Sequence, residues 1–192
     1  MIDKGLEVIK GALGNYLKLL PELNSTSEDL IVLSHVVKPD GTLALQDKSI
    51  AITLVNVEEE RTLKSQNTVS ISPNGNVSQV NPEIKLNLFI LFSVNYKDYN
   101  KALQYLSAVV RCFQANNVFT KEKVPGMDPS IEKLIVELHT LNFEQQNHLW
   151  GALGAKYIPS VLYRVRLITI QEAIKSAEQK PIKKIHISDK EL

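Results

Sequence analysis

Apolar side chains open the chain at Ile2, Leu6, Ile9, Leu13, Tyr16, Leu17 and Leu20, in steps of three and four. That spacing draws one stripe along an amphipathic helix. Asp3 is placed to cap its start, and Pro21 lies just beyond its end. Gly5, Gly11 and Gly14 each cost such a helix about 1 kcal/mol relative to Ala, so packing must hold it. Either it lies across a sheet, which is the preferred reading, or its small residues admit another subunit closely.

The period then changes to two. LIVLSHVV, from Leu30 to Val37, is a β-rich run followed by turn chemistry at Pro39 to Thr42. SIAITLVNVEEE, from Ser49 to Glu60, sets Ile50, Ile52 and Leu54 on one face and Ala51, Thr53, Val55 and Val57 on the other, which predicts a central strand. A polar stretch from Arg61 to Asn81 follows, long enough to be a functional loop, and Asn74-Gly75 suits a small hairpin jutting from the body. Glu83 to Asn95 is the strongest strand: Ile84, Leu86, Leu88, Ile90, Phe92 and Val94 share one face, and the other turns apolar at Phe89 and Leu91.

Leu103, Leu106, Val110 and Phe113 mark a second helix over Tyr99 to Asn116, and Lys123 to Pro129 is a turn-rich connection. In the next strand Leu134, Val136 and Leu138 point inward while Lys133, Glu137 and His139 point outward. Asn142 with Gln145 forms a capping box for a short helix that Gly154 stops, and Ser160 to Ile170 is the last strand. The order predicts a single α+β domain over residues 1–170, a mixed sheet with helices on one side. Residues 171–192 read as an extended or partly disordered tail with Pro181 and the pair Lys183-Lys184.

Composition narrows the function more by exclusion than by assignment. A net charge of +1, with Lys and Arg scattered, argues against a nucleic-acid partner. No run approaches the roughly 20 apolar residues of a membrane span, and the first residues lack a signal-peptide core, so the chain reads as soluble and made in the cytoplasm. One cysteine, Cys112, excludes an intramolecular disulfide framework and a Cys-rich zinc site.

His35, His139, His148 and His186 show no metal-ligand spacing, and Glu58 to Glu60 reads as the solvated end of a strand. Cys112 with His139 would be a thiol–imidazole pair, yet Cys112 sits beside Phe113 in a packing helix, where a structural thiol is expected. No phosphate-cradling or nucleophile-elbow motif is present, so no catalytic residue, cofactor or metal is assigned. An enzyme with catalytic groups scattered along the chain stays open at this point.

The distribution of Arg164 and Arg166 is the unusual feature. Both fall on one face of the last strand, opposite Val161, Tyr163, Val165 and Leu167. Unpaired inside a sheet they would be costly, so that face meets either solvent or an acidic or polar surface of another chain. Trp150 beside them favours the second, since Trp and Arg anchor interfaces. Candidate interface residues are therefore Trp150, Arg164, Arg166 and the protruding Asn74, with Lys183 and Lys184 in the tail.

These runs carry a resemblance. LVNVEEE, NPEIKLNLFILFSVNY, YLSAVVRCFQANNVFT and above all LWGALGAKYIPSVLYRVR are similar to the tube-terminator or cap family of extracellular contractile injection systems, over roughly Met1 to Leu167. The resemblance implies a non-enzymatic, cofactor-free structural protein with a phage tail-terminator-like α+β fold. It implies a hexameric ring that closes the distal end of the inner tube and joins the last sheath ring. The partners are then further copies of the chain, the tube protein and the sheath protein, in a particle released from the cell or anchored in it. A monomeric adaptor of a phage-like particle is the alternative.

Overall fold

The computed structural model describes residues 1–23, 30–61, 69–71, 77–79, 84–129, 131–170 and 178–179. Three α-helices, α1 (Ile2–Lys18), α2 (Tyr99–Ala115) and α3 (Phe143–Leu153), accompany the strands. The strands are β1 (Ile31–Leu33), β2 (Ser49–Glu59), β3 (Val69–Ile71), β4 (Val77–Gln79), β5 (Ile84–Asn95), β6 (Val118–Thr120), β7 (Lys133–Leu138), β8 (Ser160–Ile170) and β9 (Glu178–Gln179).

The main sheet runs β1-β2-β5-β8-β7-β6. It is mixed, as the order of elements predicts, because β1 alone runs parallel to its neighbour. β5 is the axis. Residues Asn87 to Val94 are buried without a break, so both faces of the strand are covered. Its even face holds Leu88, Ile90, Phe92 and Val94 under α1 and α2, where Phe92 meets the rings of Phe113 at 5.2 Å and Tyr163 at 5.6 Å. Its odd face holds Phe89 and Leu91, which join Val36, Leu162 and Trp150 in a second core.

That second core overturns the expectation of helices on one side: α3 carries Trp150 and covers the face opposite α1 and α2. The apolar odd positions of β5 are the reason, since they need a cover of their own. The capping box is as predicted, with Asn142 Oδ1 accepting from the Gln145 amide at 2.8 Å and Gln145 Oε1 accepting from the Asn142 amide at 3.0 Å. Gly154 ends α3 at φ +65°, a conformation that favours glycine.

Three further expectations shift, and α2 forms as expected with a facing that its largest apolar residues do not set. Met1, not Asp3, occupies the N-cap of α1; Asp3 lies in the first turn and accepts from the Met1 amino group at 2.7 Å. α2 buries Ala102, Tyr105, Ala108, Val109, Cys112 and Phe113, which leaves Leu103 and Val110 exposed. Small Ala102 and Ala108 let the helix approach closely, and the Tyr105 hydroxyl reaches the Leu23 carbonyl at 2.8 Å, so large apolar residues do not decide the facing. Leu138 is exposed because β7 ends with it. β8 is not the last strand: β9 pairs with β4.

Val57 also changes sides. Val55 is an extra residue between the pairs Leu54–Ile90 and Asn56–Phe89, a β-bulge that inverts the alternation beyond it. Val57 thereby pairs with Leu88 on the face of Ile50, Ile52 and Leu54. β8 has its own irregularity at almost the same level, where Arg166 and Leu167 stand between the pairs Val165–Leu88 and Ile168–Leu86. The predicted hairpin is present as the antiparallel pair β3–β4, with Val69 opposite Gln79 and Ile71 opposite Val77. Its connection, which includes Asn74-Gly75, lies outside the described residues.

The facing of α2 yields a direct test. Phe113→Ala should cost about 3–5 kcal/mol as a core truncation, while Leu103→Ala should stay within about 0.5 kcal/mol as a surface change. Urea unfolding midpoints at unchanged slope would show it; equal losses would reverse the assignment.

Candidate functional site

β8 delivers Arg164 and Arg166 to the sheet face that α3 shares, at the level of the irregularity described above. Glu137 stands directly across from Arg164 in the register of β7 and β8. Its Oε2 accepts from Arg164 Nη2 at 2.7 Å and Nε at 3.2 Å, and its Oε1 accepts from Arg166 Nη1 at 3.3 Å. Arg166 Nη2 also lies 3.5 Å from Glu60 Oε2, which accepts from Asn87 Nδ2 at 3.1 Å. Two arginines and two carboxylates thus form one half-buried, charge-balanced network that ties the ends of β2, β5, β7 and β8 together.

The acidic surface inferred for these arginines therefore lies in the same chain. Glu137 reads in the sequence as an outward residue of an alternating strand; only the cross-strand register shows that outward on β7 means opposite Arg164. Burial raises the Glu137 carboxyl, but hydrogen bonds and positive charge from Arg164, then Arg166, outweigh it and hold the group below the usual carboxylate range. Trp150 is buried, edge-on to Tyr157 at 5.4 Å. Asn74, Lys183 and Lys184 lie outside the described residues.

The groups that suggested chemistry are kept apart. Cys112 faces the helix-covered core, its Sγ 4.0 Å from the Ala12 carbonyl, whereas His139 stands edge-on to Phe89 on the opposite sheet face. Burial pushes the Cys112 thiol up to about 12, which favours the protonated thiol at neutral pH. Among the described residues no group of three or more His, Cys, Asp and Glu is placed to hold a metal ion. No helix among them is long and apolar enough to cross a membrane. A mainly apolar groove of about 800 Å³ runs between α1 and the segment Val118–Pro129, lined by Val8, Gly11, Ala12, Tyr16, Phe119 and Met127 among others.

Among the described residues the surface thus offers an ion-pair network on the α3 face of the sheet and an apolar groove beside α1. Comparison with known proteins follows from this fold. The profile described as the Pvc16 N-terminal domain matches residues 6–184. The chain belongs to that family. No curated protein matches the chain in sequence. Among solved structures, the sheath/tube terminator of PVC, an extracellular contractile injection system in its extended state, is similar with a TM-score of 0.66 and 17% identity. That match covers 100% of this chain and 64% of the other. The tube-terminating cap of the anti-feeding prophage is similar with a TM-score of 0.55 and 16% identity, covering 85% of this chain and 55% of the other. This chain therefore spans less than two thirds of either protein's length, and at these identities the likeness establishes the α+β fold. The resemblance read from the sequence holds for family and fold.

The network should make stability depend on acid. A carboxyl held low when folded contributes stability that is fully present above its unfolded pKa, about 4.3, and is lost as pH falls through the folded value. Glu137→Gln should cost about 1–2 kcal/mol near pH 7, where it leaves half-buried guanidinium groups without their counter-charge. The difference from wild type should shrink below about pH 4. Denaturant titrations of both proteins at several pH values would reveal it, and a gap that did not narrow in acid would refute the electrostatic origin.

Proposed function

We propose that this chain caps the tube of a contractile, phage-tail-like injection particle, as a ring of six copies at the distal end of the inner tube that joins the last sheath ring. The observation that carries the proposal is the likeness of the whole chain to a sheath/tube terminator, and of most of it to a tube-terminating cap. The site agrees in kind, because a terminator acts through the surfaces it presents and needs no bond-making group. Its partners are further copies of the chain, the tube protein and the sheath protein, and its place is in the particle. It acts without cofactor or catalysis.

A closed ring requires a heterologous contact, two different patches of one subunit meeting around the axis. In this reading Trp150, Arg164 and Arg166 serve the contact from within, by holding α3 and β8 in the shape presented to a neighbour. Asn74 and the pair Lys183-Lys184 are proposed as outlying contacts. The monomeric adaptor differs from the ring in mass alone.

Native mass and negative-stain images of the purified full chain, alone and with the tube protein, decide between them. Six-fold rings, at least in the presence of tube, are the expected outcome. A strict monomer under both conditions would exclude the cap.

A further inference from the structure

Two polar atoms sealed inside the ion-pair network have no hydrogen-bond partner among the described residues: Arg166 Nε, a donor, and Asn87 Oδ1, an acceptor. A donor or acceptor shut away from solvent and left unpaired is costly, so such atoms are few in a folded chain. These two belong to one place. Asn87 has no opposite number on β8, and it stands level with Arg166 and Leu167, which have none on β5. Both side chains reach the same atom, Glu60 Oε2, from Asn87 Nδ2 at 3.1 Å and from Arg166 Nη2 at 3.5 Å.

The two atoms are complementary, yet they do not bond to each other, because each side chain is tethered elsewhere. Asn87 commits its Nδ2 to Glu60. Arg166 spans two carboxylates, Glu137 at 3.3 Å and Glu60 at 3.5 Å, both longer than the 2.7 Å between Arg164 and Glu137. Its guanidinium is therefore held between the two acids and drawn tight against neither.

Chemistry decides what answers both atoms. The group must accept from Nε, donate to Oδ1 and be small enough to sit among atoms closed off by their own fold. It must also be neutral, since two arginines already balance two carboxylates. An anion would serve Nε and be repelled by Oδ1 and by Glu60. A cation would serve Oδ1 and be repelled by the guanidinium. Water meets every condition, and buried water characteristically joins polar groups that the chain leaves unsatisfied.

We propose that one buried water bridges Arg166 Nε and Asn87 Oδ1 as a fixed part of the network. It supplies a tie between β5 and β8 at the level where no residue pair joins them. It also holds the Arg166 guanidinium in position between Glu137 and Glu60. The water belongs to the single chain and is independent of the ring.

A crystal structure of the full chain locates such a water, and oxygen-17 magnetic relaxation dispersion counts the waters held longer than surface exchange allows. One density peak is expected within about 3.2 Å of both atoms. Asn87→Leu, close in shape but without the acceptor, should lower the count of long-lived waters by one, while Leu103→Ala on the surface of α2 should leave it unchanged. If Asn87→Leu does not fold, the wild-type density decides alone. A direct Nε–Oδ1 hydrogen bond, two separate waters, or an unchanged count in folded Asn87→Leu would each overturn the bridge. Bromide located between the two atoms by anomalous scattering would overturn it in favour of an anion site.

Discussion

The fold depends on a central strand buried on both faces. Eight consecutive residues of β5, Asn87 to Val94, are covered, so neither side of the sheet is free to be a solvated back. Burying one large apolar side chain is worth roughly 1.5–3 kcal/mol, and β5 places such side chains on its two faces in alternation. Each face therefore demands its own cover. α1 and α2 meet the demand on one side with a large core; α3, Trp150 and the loop residue Val36 meet it on the other with a small one. Two positions of this buried run are polar, Asn87 and Ser93, and the Asn87 amide is drawn into the ion-pair network through Glu60.

Much of this was legible as periodicity. The strands β2, β5, β7 and β8, the stripe of α1 and the capped start and glycine stop of α3 follow from spacing and local chemistry, which act within a few residues. Facing is harder, because it is decided by what lies across. On α2 the large apolar positions Leu103 and Val110 point out, while two alanines and a tyrosine with a satisfied hydroxyl point in. The apolar residues Phe89 and Leu91 are visible in the sequence on the second face of β5, but that α3 supplies their cover is decided across the sheet. β1 is three residues long rather than the full apolar run, and that too is set by its partner.

The candidate site was legible in composition and opaque in pairing. Two arginines on one strand face signal a need for nearby acid, and acid is there. Nothing in the local sequence says that it comes from Glu137, 27 residues earlier in the chain than Arg164, and from Glu60 at the end of β2. Trp150 was read as a surface anchor on residue type, but type does not distinguish an indole that covers a neighbouring chain from one that covers its own sheet. The distinction rests on β5, whose apolar odd face needed that indole.

The paired irregularities in β2 and β8 have an evolutionary meaning. The β2 bulge adds one residue beside an undisturbed β5, so β2 enters the far end of the sheet with its side-chain phase inverted, and the register of β8 shifts at the same level. The body and the far end are thereby uncoupled in sequence space. Relatives can lengthen or shorten the far end of a flank by two residues and keep every side chain on its face. A single-residue insertion or deletion there would exchange inside for outside unless it also removed or created a bulge. Length variation in this family should therefore come in even steps along these strands, with odd steps confined to the bulge positions themselves.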